Sequence, residues 1–122
     1  MPSFDRIERI SQEVQRAIDA IIREDLKDPR IAGTWSIVRC EVTRDLRYCK
    51  VRISVLENER RKDLMDALTR AAGFVRRELG RKVDLRYTPE VLFELDTNIE
   101  YAAKIDRLLK ETERHADTGE SE

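Results

Sequence analysis

The stretch "RAAGFVRRELG", residues 70–80, reads as an amphipathic helix with a glycine in its interior. Leu64, Leu68, Ala71, Val75 and Leu79 recur at helical spacing, so one apolar stripe runs past Gly73 without a break. A glycine in a helix interior costs roughly 1 kcal/mol relative to alanine. Lacking a Cβ, it lets the helix bend and lets another backbone come close. The pattern predicts a kink at Gly73 with both arms on one core. Spacing alone leaves open whether the glycine serves packing or a ligand. Gly80 is expected to cap the helix end.

Working outward, residues 5–27 carry Ile7, Ile10, Val14, Ala17, Ile21 and Leu26 on a helical stripe, widened by Ile18 and Ile22. Ser3 or Asp5 suits the start. Pro29 biases Asp28 toward an extended backbone, which ends the helix near Lys27. Val38, Cys40 and Val42 then alternate with polar residues, as do Cys49, Val51, Ile53 and Val55. The polar turn "TRDLR" (43–47) between them predicts an antiparallel hairpin with its apolar face on the helices. Val91, Phe93 and Leu95 form a third short strand behind Pro89, and Ile99, Ala102, Ile105 and Leu109 a last helix. The predicted order is α-β-β-α(kink)α-β-α, a two-layer α+β domain of three strands with helices on one face. Ala71, Phe74, Val75, Val91 and Phe93 are assigned to its core. The domain is expected over 1–114, with a disordered acidic tail, "HADTGESE", at 115–122.

Several classes of function lack their parts. The single histidine, His115, falls in the tail, so a histidine-dependent triad or His-rich metal site has nothing to be built from. No glycine-rich phosphate loop is present. Glu8, Glu13, Asp19 and Asp106 lie beside basic residues on helix faces and read as solvated pairs. Cys40 and Cys49 read as small buried apolar side chains, with a strand-to-strand disulfide as the alternative. No apolar run reaches the roughly 18–20 residues of a membrane span, and "MPSFDRIERI" is too charged for a secretory signal. The reading is a cytoplasmic, non-enzymatic protein that needs no metal and no cofactor.

The formal net charge of −1 hides a gradient. Residues 1–89 carry 20 Lys+Arg against 15 Asp+Glu, a balance of +5, whereas residues 90–122 carry 4 against 10, a balance of −6. A polyanion feels the local field, because distant charges are screened. The densest basic segment is 70–89, with Arg70, Arg76, Arg77, Arg81, Lys82 and Arg86 against Glu78 and Asp84. A charge run is usually a solvated face; the functional alternative is phosphate contact, which guanidinium groups make through two N–H bonds.

The residues together resemble the ribosome-binding factor A family. Ala71-Ala72-Gly73-Phe74-Val75-Arg76 is similar to its A-x-G-[FY]-[IV]-R, and residues 85–96, "LRYTPEVLFELD", to its L-R-x-x-P-x-[LIV]-x-F-x-x-D. "LKDPRI" (26–31), "VTRDLRYCKVRISVL" (42–56) and "NIEYAAKIDRLLKE" (98–111) also resemble family segments. The resemblance implies a KH-like fold of the second topological type, in which a helix-kink-helix at Ala71-x-Gly73 replaces the GxxG loop. It also implies binding to the free small (30S) ribosomal subunit and its 16S rRNA. With that binding go late subunit maturation and rRNA end-processing, notably in the cold. The RNA-binding residues expected on this basis are Gly73, Arg76, Arg77, Arg81, Lys82 and Arg86, then Arg44, Arg47, Lys50 and Arg52. Arg30 is a weaker candidate that alternatively pins the end of the first helix. The protein is expected to be a monomer with no membrane or small-molecule partner. The competing reading is a protein-interaction module whose basic face meets an acidic protein.

Overall fold

The alternation of residues 48–55 becomes the central strand of the molecule. The computed structural model describes residues 4–97 and 108. In chain order these form α1 (Phe4–Ala20), a π-helical turn (Ile21–Asp25), β1 (Trp35–Val42), β2 (Tyr48–Val55), a 3-10 turn (Asn58–Arg60), α2 (Arg61–Lys82) and β3 (Glu90–Leu95). The sheet order is β1-β2-β3. β1 pairs antiparallel with β2, and β3 pairs parallel with β2 on its other side. The sheet is mixed and the architecture α+β.

One sheet face and two helix stripes make the core. Cys49, Val51, Ile53 and Val55 of β2 are buried with Val14, Ile18, Ile21 and Ile22 from the first helical segment. Leu64, Leu68, Val75 and Leu79 of α2 close the same cluster. Burying each such side chain contributes about 1.5–3 kcal/mol. Of the expected core residues, Val75 and Val91 are buried, while Ala71, Phe74 and Phe93 are half-buried against the cluster. The hydroxyl of buried Ser11 accepts the Val42 N–H at 3.1 Å, which ties α1 to the outer strand. The Arg23 guanidinium lies 4.2 Å from the centre of the Trp35 ring, a second tie between the first helical segment and β1.

Three local expectations are corrected. Val38 does not face the core. The pairing passes from Ile37↔Ile53 to Arg39↔Arg52, leaving Val38 as a bulge and 47% exposed. Trp35 and Ile37 already face inward, so strict alternation would have buried Arg39; the extra residue restores Cys40 and Val42 to the core side. The first helix ends at Asp25, two residues early, through a π turn closed by the Leu26 N–H on the Ile21 carbonyl at 3.2 Å. Gly80 is not a cap but lies inside α2, which ends at Val83 in an extended backbone. Gly73 lies inside α2, which is continuous from Arg61 to Lys82, and among the described residues an added Cβ there would meet nothing within 4 Å. The expected last helix, Ile99 to Leu109, and the tail at 115–122 lie outside the described residues, apart from Leu108, which is helical and exposed.

Candidate nucleic-acid interface

The hairpin turn is built by its own side chains. β1 stops at Val42 and β2 starts at Tyr48, so "TRDLR" is the turn. Thr43 Oγ1 donates to Asp45 Oδ1 at 2.7 Å, and the Arg47 N–H donates to the same oxygen at 3.1 Å. These bonds, the Thr43 hydroxyl first, hold the Asp45 carboxyl below its ordinary pKa. Leu46 adopts a left-handed backbone, φ 63°, and packs its side chain against the core. The charged ends of Arg44 and Arg47 are left in solvent.

The loop before β3 comes to the same end of the molecule because β3 is parallel to β2. Tyr48 pairs with Glu90, so the segment preceding each strand emerges together, and the Glu90 N–H donates to the Arg47 carbonyl at 2.8 Å. The loop is strapped to α2. Arg76 donates from Nε and Nη2 to the Thr88 carbonyl at 3.1 and 3.0 Å. One turn further along the helix, an added Cβ on Gly80 would lie 3.0 Å from Thr88 Oγ1. A side chain there would crowd the loop, so Gly80 is where close approach occurs.

Two adjoining grooves result. The larger, about 610 Å³, lies between α1, the hairpin turn and the loop, and gathers Arg6, Arg9, Arg44 and Arg86 against Glu13, Asp45 and Asp84. The second, about 500 Å³, is lined by Arg47, Tyr48, Arg76, Tyr87, Thr88 and Glu90, among others. Arg44 and Lys50 also line a third groove of about 390 Å³ beside β1. The fold therefore brings Arg44, Arg47, Arg76 and Arg86 together. Arg77, Arg81, Lys82 and Arg52 line none of these grooves. The Arg77 guanidinium sits 6.0 Å from the Phe74 ring, Arg81 is 3.5 Å from Glu78, and Arg52 is 3.9 Å from Glu94 across the β2–β3 pair. Arg30 pairs within its own loop. Its backbone N–H and guanidinium donate to the Asp28 carboxylate, with Nη2 at 2.8 Å, and draw that carboxyl's pKa down to about 2.

The family model for ribosome-binding factor A matches residues 6–109. The chain belongs to the ribosome-binding factor A family. A relative named Ribosome-binding factor A from Acetivibrio thermocellus is 53% identical over 110 residues, 89% of each chain. The crystal structure of ribosome-binding factor A from Thermus thermophilus superposes with a TM-score of 0.65 at 22% identity. That match covers 73% of this chain and 93% of the other. A homology model of the Thermus thermophilus factor, fitted into the cryo-EM map of a 30S–RbfA complex, matches with a TM-score of 0.60 at 23% identity, covering 71% and 91%. The KH-like fold is that of these ribosome-binding factor A structures.

Within this family member, the sequence pattern missed Arg6 and Arg9. They sit on α1 among Asp5, Glu8 and Glu13, which is how an ordinary solvated helix face reads. Tyr87 carried no signal either, being an isolated aromatic in a polar loop. Cys40 and Cys49 are buried free thiols with their sulfurs 2.9 Å apart. That contact and burial push the Cys49 thiol well above its ordinary pKa, which is the state of a packing residue and not of a nucleophile. Among the described residues no group of three potential ligands is placed to hold a metal ion, and no helix is long and apolar enough to cross a membrane.

Proposed function

We propose that this chain binds the free small ribosomal subunit through its 16S rRNA and assists late maturation of the subunit and processing of the rRNA ends. The observation that carries this reading is the family match over residues 6–109. The grooved end of the molecule supports it physically, since guanidinium groups from α1, the hairpin turn, α2 and the loop before β3 meet there. Arg44, Arg47 and Arg86 lead the contact, helped by Arg9. Lys50 and Arg52 extend it along β2, and Gly73, Arg77, Arg81 and Lys82 flank it on α2. Arg76 is committed to Thr88 and acts chiefly by holding the loop. The role is binding, not bond chemistry, and is carried out by a cytoplasmic monomer with no cofactor or small-molecule substrate.

Phosphate contacts release condensed counterions, so affinity should fall steeply with salt. The test is binding of the purified chain to free small subunits across a salt series, with crosslinks mapped to nucleotides. Arg44→Glu with Arg86→Glu should reduce binding at least tenfold, about 1.4 kcal/mol, at unchanged thermal midpoint. A shallow salt dependence with crosslinks only to ribosomal proteins would instead favour the protein-interaction module. The maturation role predicts that cells lacking this chain accumulate small subunits with unprocessed 16S rRNA ends.

A further inference from the structure

The described tyrosines, Tyr48 and Tyr87, stand in one groove, exposed by 43% and 59%. A single exposed aromatic needs no explanation. Two in one concave site, interleaved with arginines, call for one. Neither ring serves the buried cluster of the core. Arg86 places its guanidinium 5.7 Å from the Tyr87 ring centre, and Arg47 reaches out from the turn with 77% of its side chain exposed. Arg47 has only a loose ion pair, Nε to Asp45 Oδ2 at 3.9 Å. The loop is fixed beneath Tyr87 by the two Arg76 bonds to the neighbouring Thr88 carbonyl. The ring is therefore carried on an anchored support.

We propose that Tyr87, with Tyr48 in the same groove, is a stacking platform for an unpaired nucleotide whose phosphate is held by Arg47 and Arg86. The proposal rests on the RNA-binding reading above and names the form of RNA recognised. Every base has a π face, so an aromatic ring accepts any unpaired base, and arginines alongside take the backbone. A base inside an A-form duplex is already stacked and cannot reach the ring. The groove carries two carboxylates, Asp45 and Glu90. Asp45 is occupied by the Thr43 hydroxyl and the Arg47 N–H. Glu90 lies at the start of β3 and repels phosphate, so the attraction has to come from Arg47 in this groove and Arg86 in the adjoining one.

The experiment compares wild type, Tyr87→Ala and Tyr87→Phe by fluorescence anisotropy, using a labelled single-stranded RNA of about twelve nucleotides, a duplex of the same sequence, and free small subunits. Stacking predicts that Tyr87→Ala weakens single-strand binding by about 5- to 100-fold while Tyr87→Phe stays within about twofold of wild type. Duplex binding should be weaker and unmoved by either change, and the thermal midpoint should stay constant. Equal affinities for all three proteins, or equal losses on single strand and duplex, would overturn the stacking role while leaving RNA binding by wild type intact. Subunit binding that responds to Tyr87→Ala with no affinity for either free RNA would assign the groove to a protein surface and overturn it as well. If wild type binds neither RNA nor subunits, the RNA-binding reading falls together with the platform.

Discussion

Gly73 and Gly80 occupy the same helix, the first read from the sequence as an interior kink and the second as a cap, and their surroundings differ. Among the described residues Gly73 has no atom within 4 Å of where a Cβ would stand, while Gly80 lies under Thr88 at 3.0 Å. The arginines beside them divide in the same way. Arg77 points into solvent across Phe74, whereas Arg76 reaches over to the Thr88 carbonyl. The second half of α2 is thus shaped to receive a loop, and the middle of the helix is left open. A helix-interior glycine acquires meaning only from what the chain lays on it, and here the loop 84–89 chose Gly80.

The largest effect should come from the stripe that both regions share. Leu79→Ala, at a fully buried position between Arg76 and Lys82, should cost about 2–5 kcal/mol in urea unfolding, against about 0.5 kcal/mol or less for exposed Arg77→Ala. Similar costs would mean that α2 is not held by its apolar face. Next comes the strap itself. Arg76→Ala should lose about 1 kcal/mol and raise amide exchange in residues 84–89, because the Thr88 carbonyl loses both donors. Charge reversal at Arg76 therefore confounds loop placement with RNA contact, and Arg77→Glu is the cleaner probe of the helix face.

Smaller effects separate the glycines. Gly73→Ala should stabilise by about 0.5–1 kcal/mol, since the added methyl meets nothing and the helix gains propensity. Gly80→Ala should gain less, because Thr88 must give way. Lost subunit binding in a stabilised Gly73→Ala would show that a ligand approaches that backbone; retained binding would show that none does. A final contrast concerns acid. The loop at 28–30 is held by a guanidinium on a carboxylate, the loop at 84–89 by a guanidinium on a carbonyl. Asp28 is depressed from 3.8 to about 2, first by the Arg30 side-chain bond and then by the Arg30 N–H. Its folded pKa lies below its unfolded one, so its contribution is present above about pH 4 and is lost as pH falls toward 2. Asp28→Asn should flatten stability in that window, while Arg76→Ala should leave the slope there unchanged, because a carbonyl does not titrate.

Much of the fold was legible because its signals are local. The turn boundaries followed from alternation on both sides of 43–47, whose Thr, Asp and Arg residues satisfy one another. Val38 was misplaced because alternation was followed back from Cys40 only; Trp35 and Ile37, also apolar and at period two, run in the opposite phase, and a phase conflict within one strand is the mark of a bulge. Of the candidate site, Arg44, Arg47 and Arg86 were named from charge and resemblance. Arg9 and Tyr87 were not, since nothing in their own neighbourhoods sets them apart.

By itself the sequence determined the element types, the apolar faces, the turn at 43–47 and the family, because periodicity, turn chemistry and motif order are written within short stretches of chain. Only the tertiary structure decided that β3 runs parallel to β2. That single choice sets residues 84–89 beside 43–47, makes Arg76 a strap, puts Gly80 under Thr88, and opens Tyr87 to the groove. Strand direction is fixed by where the covering helix returns the chain, a property of the packed whole and not of any segment's pattern.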